Sequence, residues 1–481
     1  MTCKNDSYRE KRAVSFDRTK PRFKTGSGTF AIAVLTVRSA VHSRLFASLA
    51  CVLLVLLLGL PWAIKGDGTV TGHVKILLGY GLWLTAFILA AATLWASCGL
   101  ISEEIDNRRI QLVAAKPVHR FQIWIGKWLG LTILNAVLLL VAGGAIYGSV
   151  KLSASVRKAD AADRQELRER VLTGRRRLSP RTAKLEQAVR KQFNDLPSRI
   201  KTAAGTDEAA FRKFRRSRLA AFFTAKPGAE VPWRFNIDRG YSGTPLLLRY
   251  RFTSFLRDVP PVSGTWSLQD ASGETLWKTG CSDRLDGVNT LGIPSRFATR
   301  SGMLKLVYCN TDSRNRVVIF NPEKPPELLV TESGFGTNLI RSLVVLACHL
   351  GLLAALGLTA GTVFSFPVAV FTACSIIMIS AMTHYFTFAS HPGRTVHHHH
   401  GHAPEPPSRV TVAWHGVIRR ADSLIAPAMR LDPVTPLTDG LLVSPAMTLK
   451  AFLILMCAYP ALLGALAGII LNRRELALPA K

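Results

Sequence analysis

Acidic side chains are scarce in this sequence. Its 481 residues include 31 Asp and Glu against 61 Lys and Arg, which gives a formal net charge of +30. Charge of either sign is almost missing from six long apolar runs, which cover 45–64, 77–100, 128–150, 338–360, 361–389 and 447–471. Each run reaches the length of about 20 residues that a helix needs to cross the bilayer core. The composition therefore excludes an ordinary soluble protein.

Several catalytic motifs are also missing. The sequence has no phosphate-binding loop of the form G-x-x-x-x-G-K-[ST], and Gly126-Lys127 lacks the upstream glycine. It has no G-x-S-x-G and no H-E-x-x-H, the common signatures of serine hydrolases and zinc proteases. Ionisable residues inside the apolar runs are few, which argues against a proton relay of buried carboxylates. We expect no catalytic residues and no cofactor on this chain, and we expect it not to be an enzyme.

The apolar runs predict an α-helical integral membrane protein with six spanning helices. The tail 1–27 is basic and polar, which predicts a disordered cytoplasmic tail under the positive-inside rule. An even number of spans then places both termini in the cytoplasm. The predicted order is an elbow helix and three spans in 28–150, two spans in 338–389, and the sixth span with a short tail in 447–481. Residues 28–44 have apolar positions at helical spacing, which predicts that the elbow lies on the membrane face.

A large polar section, 151–337, separates the third and fourth spans and is called the insert below. In 151–230 the apolar positions Leu185, Val189 and Phe193 lie at helical spacing, which predicts helices. In 231–337 the period changes to two, for example at Trp233 and Phe235, which predicts an antiparallel β-sandwich. The insert carries 34 Lys and Arg and 19 Asp and Glu. This excess indicates either a solvated basic surface or contact with anionic lipid or a polyanion.

Two cysteines, Cys281 and Cys309, lie in the insert. The topology above places the insert outside the cytoplasm, where disulfides persist. One expectation is therefore a disulfide between these two residues, and the alternative is two free thiols, since spacing in the sequence does not show that they are close.

The predicted extracytoplasmic loop 390–446 contains a cluster of histidines. Clustered imidazoles bind Zn, Cu or Ni when they are deprotonated. The alternative is a flexible low-complexity loop, because few carboxylates or thiolates accompany the cluster. The candidate metal ligands are His397, His398, His399, His400 and His402.

The segment between the second and third runs is acidic first and basic later. It reads ISEEIDNRRIQLVAAKPVHRFQIWIGKWLG over 101–130. Taken alone, it is either a solvated loop in which Lys127 extends to the lipid headgroups, or a docking surface for a cytoplasmic partner. Between two spans, such an element lies close to the membrane surface in both interpretations.

This segment resembles the first cytoplasmic loop of ABC-2 type permeases, the membrane subunits of ABC exporters. The resemblance rests on Glu103-Glu104, on the run Lys116-Pro117-Val118-His119-Arg120 and on the run Gly126-Lys127-Trp128-Leu129-Gly130. Many members have a Gly-Thr pair where this chain has Arg108-Arg109. The elbow, the six-span order and the C-terminal run 473–479 are similar too. The resemblance covers 28–150 and 338–481, and the insert lies outside the usual family core.

The resemblance implies a subunit that forms the path for ATP-driven export of an unidentified substrate in a bacterial cytoplasmic membrane. Its implied partners are an ABC ATPase subunit that carries Mg-ATP, a second permease copy or homologue, and the bilayer, with no nucleic acid. The alternative is a non-transporting anchor whose external β-domain binds carbohydrate, protein or metal. The residues implied to couple the loop 101–127 to the ATPase are Glu103, Glu104, Asp106, Arg109, Lys116, Pro117, Arg120, Gly126 and Lys127.

Overall fold

The computed structural model describes residues 25–42, 44–64, 68–106, 119–156, 161–197, 207–237, 245–254, 261–270, 272–297, 302–389 and 431–473. These residues form a helical region from both ends of the chain and a β-domain from the insert. The helices are α1 (Thr25–Val41), α2 (Arg44–Ala63), α3 (Val70–Asp106), α4 (Arg120–Val156), α5 (Ala161–Arg170), α6 (Ala183–Asn194), α7 (Asp207–Phe222), α8 (Phe335–Val363), α9 (Phe366–Ala389), α10 (Val434–Thr438) and α11 (Pro445–Arg473).

Four of these helices are long and apolar enough to cross a membrane. They are Val70–Ile105 of α3, Phe121–Ser155 of α4, Phe335–Val363 and Pro445–Arg473. The remaining two apolar runs form α2 and α9, whose apolar stretches Ala47–Ala63 and Phe366–Met382 are shorter. The described residues therefore contain four candidate spans, and the count of six spans stays a prediction.

Glycine pairs spaced four residues apart bring the long helices close together. A Cβ atom on Gly361 of α8 would lie 2.6 Å from the carbonyl oxygen of Cys98 in α3, and one on Gly357 would overlap the hydroxyl of Ser97. Such small-residue pairs let helix backbones approach closely, and van der Waals contact then replaces the hydrophobic effect that lipid does not provide.

Glycines spaced four residues apart also bring α11 close to α4. A Cβ atom on Gly464 would lie 2.7 Å from the Trp124 ring, and one on Gly468 would lie 3.4 Å from the Phe121 ring. The last helix therefore packs on the first turns of α4, where two aromatic rings fill the space that the glycines leave.

The insert contains eleven described strands in three antiparallel sheets. The proximal sheet has the order β1-β11-β4-β8, the distal sheet has the order β3-β9-β6-β7, and a small third sheet has the order β2-β10-β5. The strands are β1 (Thr173–Leu178), β2 (Thr224–Ala225), β3 (Glu230–Asn236), β4 (Leu246–Tyr250), β5 (Phe252–Thr253), β6 (Val262–Gln269), β7 (Thr275–Asp283), β8 (Asn289–Ile293), β9 (Met303–Asn310), β10 (Val318–Phe320) and β11 (Glu327–Gly334).

One apolar core joins all three sheets. Alternate residues of β3, β4, β6 and β9 point into it, as the period of two predicts, and its centre is aromatic: the Tyr250 ring of the proximal sheet lies 5.0 Å from the Trp266 ring of the distal sheet. Helix α6 adds Val189 to this core, and Phe193 of the same helix is also buried, which confirms the predicted apolar face.

The prediction that 151–230 is helical was wrong at two strands, β1 and the two-residue β2. Thr173–Leu178 is a strand that pairs with β11, so the first and last strands of the domain are neighbours. The sequence of this strand, TGRRRL, shows no alternation of apolar and polar residues, because one of its buried side chains is the charged Arg175. That guanidinium donates to the carbonyl oxygens of Glu169 (2.7 Å) and Pro245 (3.1 Å), which offsets the cost of its burial.

Candidate functional site

The loop that resembles a coupling element begins in the last turns of α3 and ends in the first turns of α4. The structure describes α3 up to Asp106 and α4 from Arg120. Of the predicted coupling residues, Arg109, Lys116 and Pro117 lie outside the described residues, and so do the side chains at positions 106 and 120. Glu103, Glu104, Gly126 and Lys127 can therefore be placed.

One interpretation of the sequence was that Lys127 extends to the lipid headgroups. In the structure its side chain turns inward instead. Only 5% of the residue is exposed. Its ammonium group lies 2.6 Å from the Oε2 atom of Glu104 and donates a 2.7 Å hydrogen bond to the carbonyl oxygen of Leu100. Because an unpaired ammonium is costly to bury, the carboxylate and the carbonyl of α3 hold it there. This ion pair joins the two helices at the base of the loop.

The two adjacent glutamates have different environments. The Glu104 carboxylate is one-third exposed and is paired with Lys127. Glu103 is exposed at the surface of the same helical turn. Glu104 therefore holds α3 to α4, and Glu103 is the carboxylate that is accessible to another molecule.

Gly126 and Gly130 bring the elbow helix α1 against α4. A Cβ atom on Gly126 would lie 2.7 Å from the Cβ atom of Ile32, and one on Gly130 would lie 2.8 Å from the carbonyl oxygen of Ala33. The two glycines of the Gly-Lys-x-x-Gly run thus face α1, whereas the lysine between them faces α3. The motif has a packing role on each side of α4.

Two tryptophans extend this contact to the remaining helices. The indole rings of Trp124 and Trp128 are stacked, with centroids 6.2 Å apart. The Trp128 Nε1–H donates a 2.8 Å hydrogen bond to the carbonyl oxygen of Gly351 in α8, and Trp124 packs against Gly464 of α11. The first three turns of α4 are therefore in contact with α1, α3, α8 and α11.

A second junction lies between the β-domain and the helices, and the sequence did not indicate it. The connecting segment, 431–444, was predicted as part of a polar loop. Instead, Leu441 packs between Leu247 and Leu329 on the outer face of the proximal sheet. The backbone of Arg175 in β1 accepts from the Leu442 N–H (2.8 Å) and donates to the carbonyl of Gly440 (3.0 Å), so the segment extends the edge of that sheet.

The connecting segment is also bound to α8 through one buried amide. The Asn338 side chain donates to the carbonyl oxygen of Leu441 and accepts from the N–H of Val443, both at 2.8 Å. Asp439 of the same segment lies between Lys75 of α3 (3.6 Å) and Arg249 of β4 (3.7 Å). In the sequence, the only sign of this junction is a polar residue, Asn338, near the start of an apolar helix. The role of Asn338 is evident only from its tertiary contacts.

The domain is attached at two further points. Strand β11 ends at Gly334 and α8 begins at the next residue, so no linker separates sheet from helix. Asp163 of α5 accepts hydrogen bonds from the N–H groups of Val70 (2.7 Å) and Thr71 (3.3 Å) at the start of α3. The hydroxyl of Thr71, with these amides, holds the pKa of the Asp163 carboxyl below its usual value.

Cys281 and Cys309 do not form a disulfide, so the second of the two alternatives that the sequence left open holds. Both are free thiols. Cys281 of β7 pairs with Gly264 of β6, and Cys309 of β9 pairs with Thr265, so the two thiols lie two strands apart on opposite faces of the sheet. Two strand spacings are about 9.6 Å, beyond the reach of a disulfide. Burial raises the pKa of Cys281 to about 12, with a further contribution from Asp283.

The β-domain contains a buried ion pair of its own. The Arg316 guanidinium donates to both carboxylate oxygens of Asp312, at 2.8 and 2.7 Å, and to the carbonyl of Pro261 at 3.0 Å. These hydrogen bonds lower the pKa of Asp312 to about 2. The pair fixes the turn between β9 and β10 and lies far from the loop at the base of α3, so we assign it a structural role.

The predicted metal ligands His397, His398, His399, His400 and His402 lie outside the described residues. Within the part of the chain that the structure describes, no three His, Cys, Asp or Glu side chains lie close enough to hold a metal ion. The metal site therefore stays a prediction. No protein-family model matches the chain, and no curated protein is significantly similar to it.

Proposed function

We propose that this protein is the permease subunit of an ABC-2 type transporter, which forms the membrane path for export of a substrate while a separate ATPase subunit hydrolyses ATP. The observation that carries the proposal is the base of the loop between α3 and α4. There Lys127 is paired with Glu104 across the two helices, and the first turns of α4 contact four other helices. A loop that must transmit movement needs a rigid base of this kind.

Six spans are part of the proposal. The backbones of α2 and α9 have 20 and 24 residues, which correspond to about 30 and 36 Å at 1.5 Å per residue. Both lengths match a hydrocarbon core of about 30 Å. With the basic N-terminal tail in the cytoplasm, the α3–α4 loop is cytoplasmic and the β-domain is extracytoplasmic. The membrane is the bacterial cytoplasmic membrane, and a second permease copy or homologue completes the path.

The rival function is a membrane anchor that presents the β-domain to a ligand. A passive anchor needs no rigid attachment, whereas here β11 continues into α8 and the connecting segment is bonded to both regions. A domain attached in this way moves with its helices, which favours the transporter. The insert then has the role of following or limiting the movement of the spans.

The first experiment is affinity purification of the full chain in mild detergent from its own cells, followed by mass spectrometry. A stoichiometric ATPase with a phosphate-binding loop supports the proposal. The absence of such a subunit from an intact, monodisperse preparation would instead support the rival function, a membrane anchor that presents the β-domain to a ligand.

The coupling site is then tested with Glu103→Lys. Reversal of both Glu103 and Glu104 would bring a second ammonium group to buried Lys127, and a loss of binding could then result from misfolding. Glu103 is exposed, so its reversal leaves the helix junction intact. We expect Glu103→Lys to release the ATPase, and we expect Glu274→Lys, the same charge change at an exposed turn of the β-domain, to retain it. Equal retention of the ATPase by both variants would reject the coupling site.

A further inference from the structure

The helices α6 and α7 form a strongly basic surface on the β-domain. The described residues 181–197 and 207–226 contain ten Lys and Arg and four acidic residues, Glu186, Asp195, Asp207 and Glu208. Glu186 is paired with Arg215. The basic surface consists of nine exposed side chains: Arg181, Lys184, Arg190, Lys191, Arg212, Lys213, Arg216, Arg218 and Lys226.

This surface is ordered, because its helices are anchored in the domain core. Val189 of α6 and Leu219 of α7 are 1% exposed and belong to the core between the sheets. The Arg190 guanidinium lies 5.5 Å from the centroid of the Phe211 ring, and the Arg218 guanidinium lies 5.3 Å from that of the Phe214 ring. The cations thus have defined positions, and their own side chains cover two of the nearby aromatic rings.

The basic surface lies beside the distal sheet of the domain. The Arg181 N–H donates to the carbonyl of Arg234 in β3, an edge strand of the distal sheet, and Phe223 packs on Trp233 of the same strand at 4.5 Å. The connecting segment packs on the outer face of the proximal sheet. Two packed sheets are about 10 Å apart, and the Debye length at physiological salt is about 8 Å. The headgroups beside the spans therefore contribute little to neutralising this charge.

Three further segments of the chain are unsuited to neutralise this charge, because they are basic themselves. The segments 1–24, 107–118 and 390–430 each carry more Lys and Arg than Asp and Glu. A second copy would bring the same basic surface. The complement is therefore a separate polyanion, which such a surface attracts over long range.

We propose that the basic surface binds a linear acidic glycan whose repeating units carry carboxylate or phosphate groups. This inference rests on the extracytoplasmic position of the β-domain given under the proposed function. Single-stranded nucleic acids bind proteins by stacking bases on exposed aromatic rings. Here Phe211 and Phe214 are half-buried beneath arginines, and on α7 only Phe222 is a largely exposed aromatic ring. Cations without such platforms recognise charge and its spacing, which suits an anionic polymer without stacking bases.

The test measures binding of the purified full chain in detergent to polygalacturonate at several salt concentrations. We expect saturable binding that weakens as salt increases, and no binding to the neutral methyl-esterified polymer. The triple variant Lys191→Glu, Lys213→Glu, Arg216→Glu should bind more than about tenfold more weakly. The matched control is Lys278→Glu, Arg284→Glu, Arg314→Glu, which makes the same charge change at exposed positions elsewhere on the β-domain and should bind like the parent chain. Replacement of the same three residues of the basic surface by Gln gives a milder variant that should show an intermediate loss.

Several results would overturn the proposal. An equal loss in the control variant would show attraction by total charge without a site. Duplex DNA, or vesicles with phosphatidylglycerol, bound more than about tenfold more tightly than the glycan at the same salt would assign the surface to that partner. Absence of any binding to polygalacturonate would reject the proposal that the basic surface binds an acidic glycan. These measurements use the chain without an ATPase, so their failure is distinguishable from failure of the permease assignment.

Discussion

The helical region and the β-domain are stabilised by opposite kinds of contact. In the helical region, pairs of glycines let backbones meet, as at Gly361 against Cys98 and Gly126 against Ile32. In the β-domain, large aromatic rings such as Trp266 and Tyr308 fill the core, with centroids 5.1 Å apart. In general, burial of a large ring away from water is strongly favourable, whereas apolar helices in a bilayer gain little from burial and depend on close packing.

The two regions also use buried ion pairs differently. Lys127 and Glu104 come from separate helices, and their contact depends on the fold. Asp312 and Arg316 are four residues apart in one turn, and neighbouring carbonyls complete the network. We therefore expect the helical pair to report on the packing of α3 against α4, and the β-domain pair to report on a local turn.

The largest expected effect is at a helix contact. Gly361→Val places a branched side chain 2.6 Å from a backbone carbonyl of α3, which has little freedom to move. We expect a loss of about 3 kcal/mol or more, measured as loss of monodisperse protein and a lower Tm in detergent. Gly144→Val is the matched control, because a Cβ atom there meets nothing within 4 Å. If both variants lost the same stability, the close glycine contacts would not be what stabilises the helical region.

The next effect is at the ion pair between helices. Glu104→Gln leaves the ammonium of Lys127 buried without its carboxylate, and we expect a loss of about 2–3 kcal/mol. Glu103→Gln should change stability by less than about 0.5 kcal/mol, because that side chain is exposed. Thermal unfolding in one detergent measures both, and a double variant Lys127→Met, Glu104→Leu should recover most of the loss. A loss in that double variant as large as in Glu104→Gln would contradict this account.

The β-domain pair should show a pH dependence. The folded-state pKa of Asp312 is about 2, below the usual value of about 4, so its stabilisation is present above pH 4 and is lost as pH falls towards 2. The shift corresponds to about 2 kcal/mol. Asp312→Asn should remove this dependence and increase hydrogen exchange in β9 and β10, whereas Glu274→Gln should not. An unchanged acid dependence in Asp312→Asn would assign it to other carboxylates.

The smallest expected effect concerns the thiols. Because Cys281 and Cys309 lie on opposite faces of the distal sheet, removal of reductant should not change the mobility of the full chain on a gel. Cys281→Ser and Cys309→Ser should each match the parent under both conditions. A faster band without reductant that either substitution abolishes would show that the register of β6 with its neighbours is wrong.

Much of the local structure was predictable from the sequence. The apolar runs coincide with helices because length and composition suffice to specify a helix in an apolar solvent. The alternation at Trp233, Phe235 and Ile237 was sufficient to predict a buried strand face. The glycine pairs at 357 and 361 and at 464 and 468 were also visible in the sequence, although spacing alone does not say which helix they meet.

The tertiary structure determined those features that depend on contacts between residues far apart in the sequence. Lys127 turned inward because Glu104 and Leu100 lie within reach, and no local pattern contains that information. Strand β1 forms despite three arginines because β11 provides its partner and distant carbonyls satisfy Arg175. The connecting segment joins sheet and helix through Asn338, which the sequence shows only as a polar residue in an apolar run. The sequence by itself thus determined which segments are helices or strands, through their local period and apolar content. Which polar groups are buried, and against what, was decided only when segments far apart in the chain supplied their partners.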